Sequence, residues 1–254
     1  MLNYTPKLQT SILLFDQIIE NAKADVKKLS KVEQLKLKDE LDHGAHCLTT
    51  KKQLKMYLAS YGEIHQAKLM RCYRNIPSKV WCESQITIVD YGCGQGIAEI
   101  VFADFLSSKW IEYNFVKDII LIDPSRICLM QSVEYLSGVY RDSDIIGIQK
   151  NDKQISEDDL MPKSNTVIHI LSNIVDLDNF QGNRILSLLN EDKKHNNIII
   201  CVSPYYQEDS RGKRIDEFCS KLQGYRCVYK FQKHIDEWSE KYSCQIRIYE
   251  SLYY

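Results

Sequence analysis

Residues 86–99 read Ile-Thr-Ile-Val-Asp-Tyr-Gly-Cys-Gly-Gln-Gly-Ile-Ala-Glu, and no other stretch constrains the fold as strongly. Ile86 to Val89 is a β-branched apolar run of the kind that forms a buried strand. It ends in an acid, Asp90, after which Gly92, Gly94 and Gly96 fall on alternate positions. From Ile97 to Phe105 the apolar pattern becomes helical. Glycine is needed where a chain turns tightly and where a ligand must approach the backbone. A helix that starts at such a turn points free N–H groups and the positive end of its dipole at that ligand. The stretch predicts a strand, a ligand-approach loop and a helix in succession.

The spacing separates two kinds of nucleotide site. A dinucleotide site calls for G-x-G-x-x-G. Here the glycines are Gly92-x-Gly94-x-Gly96, with a carboxylate two residues before the first. That carboxylate would repel the phosphates of a dinucleotide, and it suits a ligand bearing an ammonium group. The D-x-G-x-G-x-G pattern, in its strand–loop–helix setting, resembles the first motif of the class I S-adenosylmethionine-dependent methyltransferases. Their ligand carries both an ammonium and a carboxylate at its methionine end. The resemblance covers about residues 60–254 and implies S-adenosylmethionine as cofactor, with Asp90, Gly92, Gly94 and Gly96 around it.

A second apolar run ending in an acid, Asp118 to Asp123, lies beyond the helix, and Asp123 comes 27 residues after Gly96. In an open α/β sheet this distance puts Asp123 at the carboxyl end of the neighbouring strand, beside the glycine loop. The resemblance implies that Asp123 accepts the ribose hydroxyls, with Pro124 near the adenine. Asp123 could equally cap a helix over Ser125 to Leu136, and the two roles can coexist. Asn151 and Asp152 follow the third predicted strand, where the family has a polar residue facing the adenine amino group.

Strands are predicted at 86–90, 118–122, 145–149, 166–171, 197–202, 225–231 and 244–250, with helices between the first five. A short helix or loop, Lys233 to Tyr242, is expected between the last two. The order matches the family's fold, an α/β Rossmann-like sheet of seven mostly parallel strands whose final strand is antiparallel. Residues 1–80 contain no strand pattern and read as a helical extension, a lid or substrate-binding element, ahead of a methyltransferase domain at 81–254. Within the extension, 12–28 has helical apolar spacing, Lys31 to Leu41 carries a stripe of Val32, Leu35 and Leu41, and Thr49 and Thr50 offer an N-cap for a helix from Lys51. That helix is expected to be interrupted at Gly62 and ended by Pro77.

With 254 residues and 44% apolar content, the chain suits one α/β domain with an extension. No apolar run approaches 18 residues and no signal segment opens the sequence, so a cytoplasmic protein without a membrane span is expected. Nine cysteines form no C-x-x-C pair and read as reduced thiols. His43, His46 and Cys47 suggest a metal corner, but no second ligand pair completes it, and no metal is expected. Charge is uneven: residues 1–80 carry 14 basic and 8 acidic side chains, residues 81–254 carry 19 and 26. A basic extension fits either an anionic acceptor or a plain solvated helix face.

Several residues suit chemistry at the cleft. Tyr61, His65 and Lys68 fall at i, i+4 and i+7 and share a helix face; they read as a substrate wall or as an exposed face. Ser172 and Asn173 follow the fourth strand, where the fold places the transferable methyl, and could bind the acceptor or cap a helix. The sequence there is neither the Asn/Asp-Pro-Pro-Tyr of amino-methylating enzymes nor the Pro-Cys of cytosine C5 enzymes. Ser203-Pro204-Tyr205-Tyr206 follows the fifth strand instead; Tyr205 and Tyr206 could stack on a flat substrate, and Arg211 could meet phosphate. Methyl transfer with a nucleic acid acceptor, RNA first, is the leading reading. A small-molecule or protein acceptor, a protein partner, and a cofactor-binding but catalytically silent subunit are the alternatives.

Overall fold

A computed structural model describes residues 14–205, 211–236 and 239–253. The elements are α1 (Leu14–Lys27), α2 (Lys31–Leu41), α3 (Lys51–Tyr73), β1 (Ile86–Tyr91), α4 (Ile97–Ser108), β2 (Val116–Ile122), α5 (Arg126–Val139), β3 (Asp144–Ile148), β4 (Thr166–Ser172), α6 (Asn183–Glu191), β5 (Asn196–Ser203), α7 (Arg211–Cys219), β6 (Tyr225–Asp236) and β7 (Ser239–Ser251). The seven strands form one sheet in the order β3-β2-β1-β4-β5-β7-β6. β1 to β5 are parallel, and β7 enters antiparallel to both β5 and β6. This is the sheet order of the class I methyltransferase fold. The strand order reverses at β1, between β2 and β4, and in open α/β sheets a ligand crevice opens at the carboxyl ends of strands at such a switch.

The central strands are buried on both faces, which is why they read as continuous apolar runs. Alternate residues feed two cores. Ile88, Ile119 and Ile198 meet α1, α3, α4 and α5; Val89, Ile120 and Ile199 meet α6 and α7. The N-terminal helices share the first core through Phe15, Ile19, Leu69 and Tyr73. Asp104 of α4 also accepts the Leu14 and Phe15 backbone N–H groups at 2.8 and 3.0 Å, satisfying the free end of α1. No described helix is long and apolar enough to cross a membrane.

Four local expectations need correction. Gly62 does not interrupt α3: a Cβ there would come within 2.9 Å of Ile19, so the glycine serves close packing against α1. The expected helix between β3 and β4 is a single 3-10 turn, Glu157–Asp159, in a connection rich in Asp, Ser and Lys with no apolar stripe to bury. The expected break over Lys233 to Tyr242 is instead continued strand, with His234 paired to Ser243 and Asp236 to Ser239; residues 237–238 lie outside the described set. On α2 the buried side is Leu37 and Leu41, packed with Leu54 and Met56, while Val32 and Leu35 are exposed.

At the start of α3, Thr50 accepts from the Gln53 backbone N–H at 3.2 Å, and the Gln53 side chain returns to the Thr50 N–H at 3.1 Å. This reciprocal cap fixes where α3 enters. Farther along, Leu69 and Tyr73 carry α3 into the first core.

Candidate functional site

The carboxyl ends of β1, β2 and β4 meet α3 and the 44–48 connection around a cleft of about 230 Å³. One wall is the glycine loop. Gly92, Gly94 and Gly96 have φ of 68°, 54° and 73°, in the left-handed region. They are glycine for different reasons. A Cβ on Gly92 would lie 2.5 Å from Ile174 Cγ2, and one on Gly96 would lie 3.0 Å from Ser132 Cβ, where α5 approaches the start of α4. A Cβ on Gly94 would meet no protein atom within 4 Å and would stand in the cleft. Gly94 is therefore where bare backbone faces the open space. Gly96 is not among the lining residues.

Asp90 lines this wall yet is only 1% exposed, and Glu99 on the first turn of α4 is fully buried behind it. Asp90 Oδ1 and both Glu99 carboxyl oxygens have no donor among the described residues. Burial raises both acids above the ordinary carboxylate range, and the charge of Glu99 adds to the rise at Asp90. One proton held between them relieves the repulsion. A cation offered to Asp90 from the cleft would relieve it as well.

Asp123, at the end of β2, is 8% exposed and lines the cleft. Its Oδ2 accepts from the Gly94 N–H at 2.9 Å and its Oδ1 from the Ser125 N–H at 2.7 Å. Burial raises its pKa, and these two bonds oppose the rise. The residue that caps α5 is Ser125, whose Oγ accepts from the Cys128 N–H at 3.2 Å. Asp123 instead clamps the tip of the glycine loop. Each of its oxygens keeps a further lone pair for a ligand hydroxyl.

Beyond Gly92 and Pro124 a second cavity, about 130 Å³, runs on between Asn151, Asp152 and the apolar side chains Ile155, Ile174 and Phe180. Asp152 accepts from the Gln181 and Gly182 N–H groups at 2.8 and 3.2 Å, holding that rim together. An apolar slot with polar ends suits a flat heterocycle. The two cavities share Gly92, Pro124, Ile174, Leu177 and Asn179.

The opposite wall comes from α3 and the end of β4. The Lys68 ammonium donates to Asn173 Oδ1. Asn173 Nδ2 lies 2.9 Å from His65 Nδ1 and donates to Ser172 Oγ at 2.8 Å. His65 Nε2 lies 2.9 Å from Tyr57 Oη. Asn173 has φ 60°, a left-handed conformation that asparagine tolerates. Burial, with the neighbouring charge of Lys68 second, holds His65 well below its usual pKa and so neutral. Burial also draws Lys68 down to about 8. The phenol of Tyr57 is pushed up, chiefly by burial.

Of the expected substrate residues, His65 lines the cleft and Lys68 lies behind it, bonded to Asn173. Tyr61 packs tilted against Tyr57, with ring centroids 5.2 Å apart, and does not line the cleft. Tyr205 is absent from the lining; its carbonyl accepts from Ser243 at 3.4 Å. Tyr206 and the side chain of Arg211 lie outside the described residues. His46 and Cys47 line the mouth of the cleft, and among the described residues no group of three or more His, Cys, Asp or Glu is placed to hold a metal.

Sequence reasoning misses Tyr57, Gln95 and Glu99. Tyr57 sits one helical turn before Tyr61 on the same stripe, which was the available signal. Gln95 ties the loop to α3 by donating to the Leu54 carbonyl at 3.1 Å. Glu99 is one of two acids, with Asp104, in the apolar helical run from Ile97 to Phe105.

No protein-family model matches the chain, and a search of curated proteins returns no match. Among solved structures, the chain is similar to a SAM-dependent methyltransferase from Leishmania major: 11% identity, 84% of this chain and 82% of that one, TM-score 0.49. It is also similar to an rRNA methylase from Streptococcus thermophilus, at 13% identity over 75% of this chain and 96% of that one, TM-score 0.46. A third likeness is to a plantazolicin methyltransferase in complex with SAH, at 10% identity over 94% and 99% of the two chains, TM-score 0.45. The assignment of fold rests on the strand order and register, not on these likenesses.

Proposed function

We propose that this protein is an S-adenosylmethionine-dependent methyltransferase. The observation that carries the reading is the pairing, in the lining of one cleft, of the Asp90 carboxyl with a Gly94 whose Cβ position no protein atom approaches. The first calls for a cationic group and the second for a close ligand. A zwitterionic amino-acid end joined to a nucleoside supplies both. Asp123 has lone pairs for ribose hydroxyls, and the slot beside Asn151 suits a purine ring. Bound there, the cofactor would supply an activated methyl group for displacement by a nucleophile.

The chain's own residues then bind and orient. The glycine loop and Asp90 hold the amino-acid end, Asp123 holds the sugar, and α3 with Ser172 closes the space where an acceptor would enter. Both nitrogens of His65 are committed to internal partners, so this wall offers no free general base. Such a site favours an acceptor that is nucleophilic without losing a proton first, and catalysis then rests on proximity and alignment.

For the acceptor, the basic excess of residues 1–80 supports a nucleic acid, RNA first. Part of that excess is spent inside the protein: Lys52 pairs with Glu33 at 3.2 Å and Lys55 with Asp25 at 2.5 Å. The deciding experiment is transfer of labelled methyl from S-adenosylmethionine to total RNA, DNA and protein fractions. Label in RNA alone is the expected result. Label in protein, or in no polymer while a small molecule is methylated, would replace the RNA acceptor. Cofactor binding with no transfer to any acceptor would point to a silent subunit.

A further inference from the structure

The four side chains behind the cleft have donor and acceptor capacities that leave one consistent arrangement. An ammonium only donates, so the Asn173 atom facing Lys68 is the amide oxygen. The Asn173 amide nitrogen therefore faces the other way, and its two hydrogens go to His65 Nδ1 and Ser172 Oγ. His65 Nδ1 must then be the bare, accepting nitrogen. A neutral imidazole carries its one proton on the other nitrogen, so Nε2–H donates to Tyr57 Oη. Every bond runs away from Lys68. At the two ends, Tyr57 Oη and Ser172 Oγ each accept an internal bond, and neither hydroxyl hydrogen has a partner among the described residues. Both residues line the cleft.

Charge points the same way. Lys68 is 1% exposed and makes no ion pair with a carboxylate among the described residues; its hydrogen bond is to the Asn173 amide. The Asp176 carboxylate acts on it only from beyond ion-pair distance, and a buried ammonium without a close counter-ion is costly. An anion held at the far end of the chain would offset that cost, and the Tyr57 hydroxyl hydrogen is where it would bind.

We propose that Lys68, acting through Asn173, is a positioning residue that locks His65 in the Nε2–H tautomer and makes the Tyr57 hydroxyl a hydrogen-bond donor for a carboxylate. The carboxylate has two sources: the amino-acid end of the cofactor, or the methyl acceptor. Only the choice of source rests on the methyltransferase reading; the direction of the chain does not.

The first test reads the tautomer. Histidine ¹⁵N shifts should show His65 neutral and protonated at Nε2. In Lys68→Met the Asn173 amide is released and the His65 signals should shift or broaden between tautomers. Because a buried lysine variant can fail to fold, Asn173→Asp serves as the second. It places an acceptor opposite Nδ1 and should convert His65 to the Nδ1–H or doubly protonated form. An Nδ1–H signal in the parent, or an unchanged tautomer in the folded variants, would overturn the proposal.

The second test reads the ligand. S-adenosylhomocysteine carries the carboxylate, and 5′-methylthioadenosine lacks it. If the cofactor supplies the carboxylate, Tyr57→Phe should weaken S-adenosylhomocysteine about tenfold and leave methylthioadenosine within about twofold. If the acceptor supplies it, Tyr57→Phe should leave both nucleosides unchanged, and acetate added to the S-adenosylhomocysteine complex should shift the His65 resonances in the parent and not in the variant. Neither response would overturn the donor assignment. If the parent binds neither nucleoside, the methyltransferase reading fails, while the tautomer measurement still decides the direction of the chain.

Discussion

The two walls of the cleft are built in opposite ways. The glycine wall is local: Asp90, Gly92, Gly94 and Gly96 lie within seven residues, and its shape comes from backbone conformation. The α3 wall is assembled across the chain. Lys68 and Asn173 are 105 residues apart, His65 and Asn173 are 108, and its shape comes from side-chain hydrogen bonds. The glycine wall is negative and short of donors, with Asp90 and Glu99 unsatisfied. The α3 wall carries a buried cation and spare donors. A ligand positive at one end and acceptor-rich at the other complements both. Under the proposed function, one wall holds the cofactor and the other discriminates among what enters.

The sharpest way to break this contrast is Gly94→Val. A valine at φ 54° costs about 1–2 kcal/mol of stability, but its Cβ meets no protein atom, so the protein should fold. Cofactor binding should fall below detection by calorimetry. Gly92→Ala should do the reverse in emphasis, since its Cβ collides with Ile174; overpacking of about 1–3 kcal/mol, added to the left-handed strain, should appear first as a lowered Tm.

Asp123→Ala comes next. It removes a charged acceptor, worth about 1.5–3 kcal/mol if ribose hydroxyls bind there, so the S-adenosylhomocysteine dissociation constant should rise tenfold or more. It also releases the Gly94 and Ser125 N–H groups, so thermal unfolding measured alongside separates the two effects. An unchanged dissociation constant would leave Asp123 as a loop clamp only.

How much of this was legible in the sequence follows the same division. The glycine wall was, because a tight turn can be made only by particular residues at particular spacing. Asp123 was, because a strand end is fixed by where the apolar run stops. The α3 wall was half legible: Tyr61, His65 and Lys68 share a face in any helix, but Tyr57, the residue that meets His65, needs the partner from β4 to reveal it. Glu99 and the β3–β4 connection were not legible, since burial of an acid and replacement of a helix by a turn depend on what packs alongside. Gly62 misled for the same reason, because Ile19 of α1 explains it and periodicity does not.

Glu99→Gln sharpens the electrostatic side. In the unfolded chain Glu99 titrates at its usual value of 4.5, and in the folded protein burial raises it. Protonation therefore stabilises the fold, fully below pH 4.5, and that contribution is lost as the pH rises through the raised value. The parent should lose stability to urea as pH rises from 5 to about 8, and Glu99→Gln should lose less. His65 has the opposite sign: its pKa is lowered, so its contribution is present above its usual 6.5 and fades as pH falls. In the variant, Asp90 and Asp123 keep the sign of Glu99, and the His65 contribution offsets part of the loss that remains. Identical profiles would remove the shared proton from the account.

The smallest effect is expected outside the cleft. Changing Lys51, Lys52 and Lys55 to Glu tests the basic track, yet two of the three already pair with acids. Surface pairs of this kind are worth about 0–1 kcal/mol each, so stability should change little. If RNA is the acceptor, fluorescence anisotropy across a salt series should show a log–log slope reduced by about 0.7, the value for one phosphate contact on a single strand. A reduction three times larger would mean that RNA displaces the ion pairs.

The measurement that bears most directly on the central claim is calorimetric titration of the parent and Gly94→Val with S-adenosylhomocysteine and with NAD. The account expects one-site binding of S-adenosylhomocysteine to the parent, none to the variant, and no binding of NAD to either. NAD binding to the parent, or equal binding of S-adenosylhomocysteine to both proteins, would contradict it.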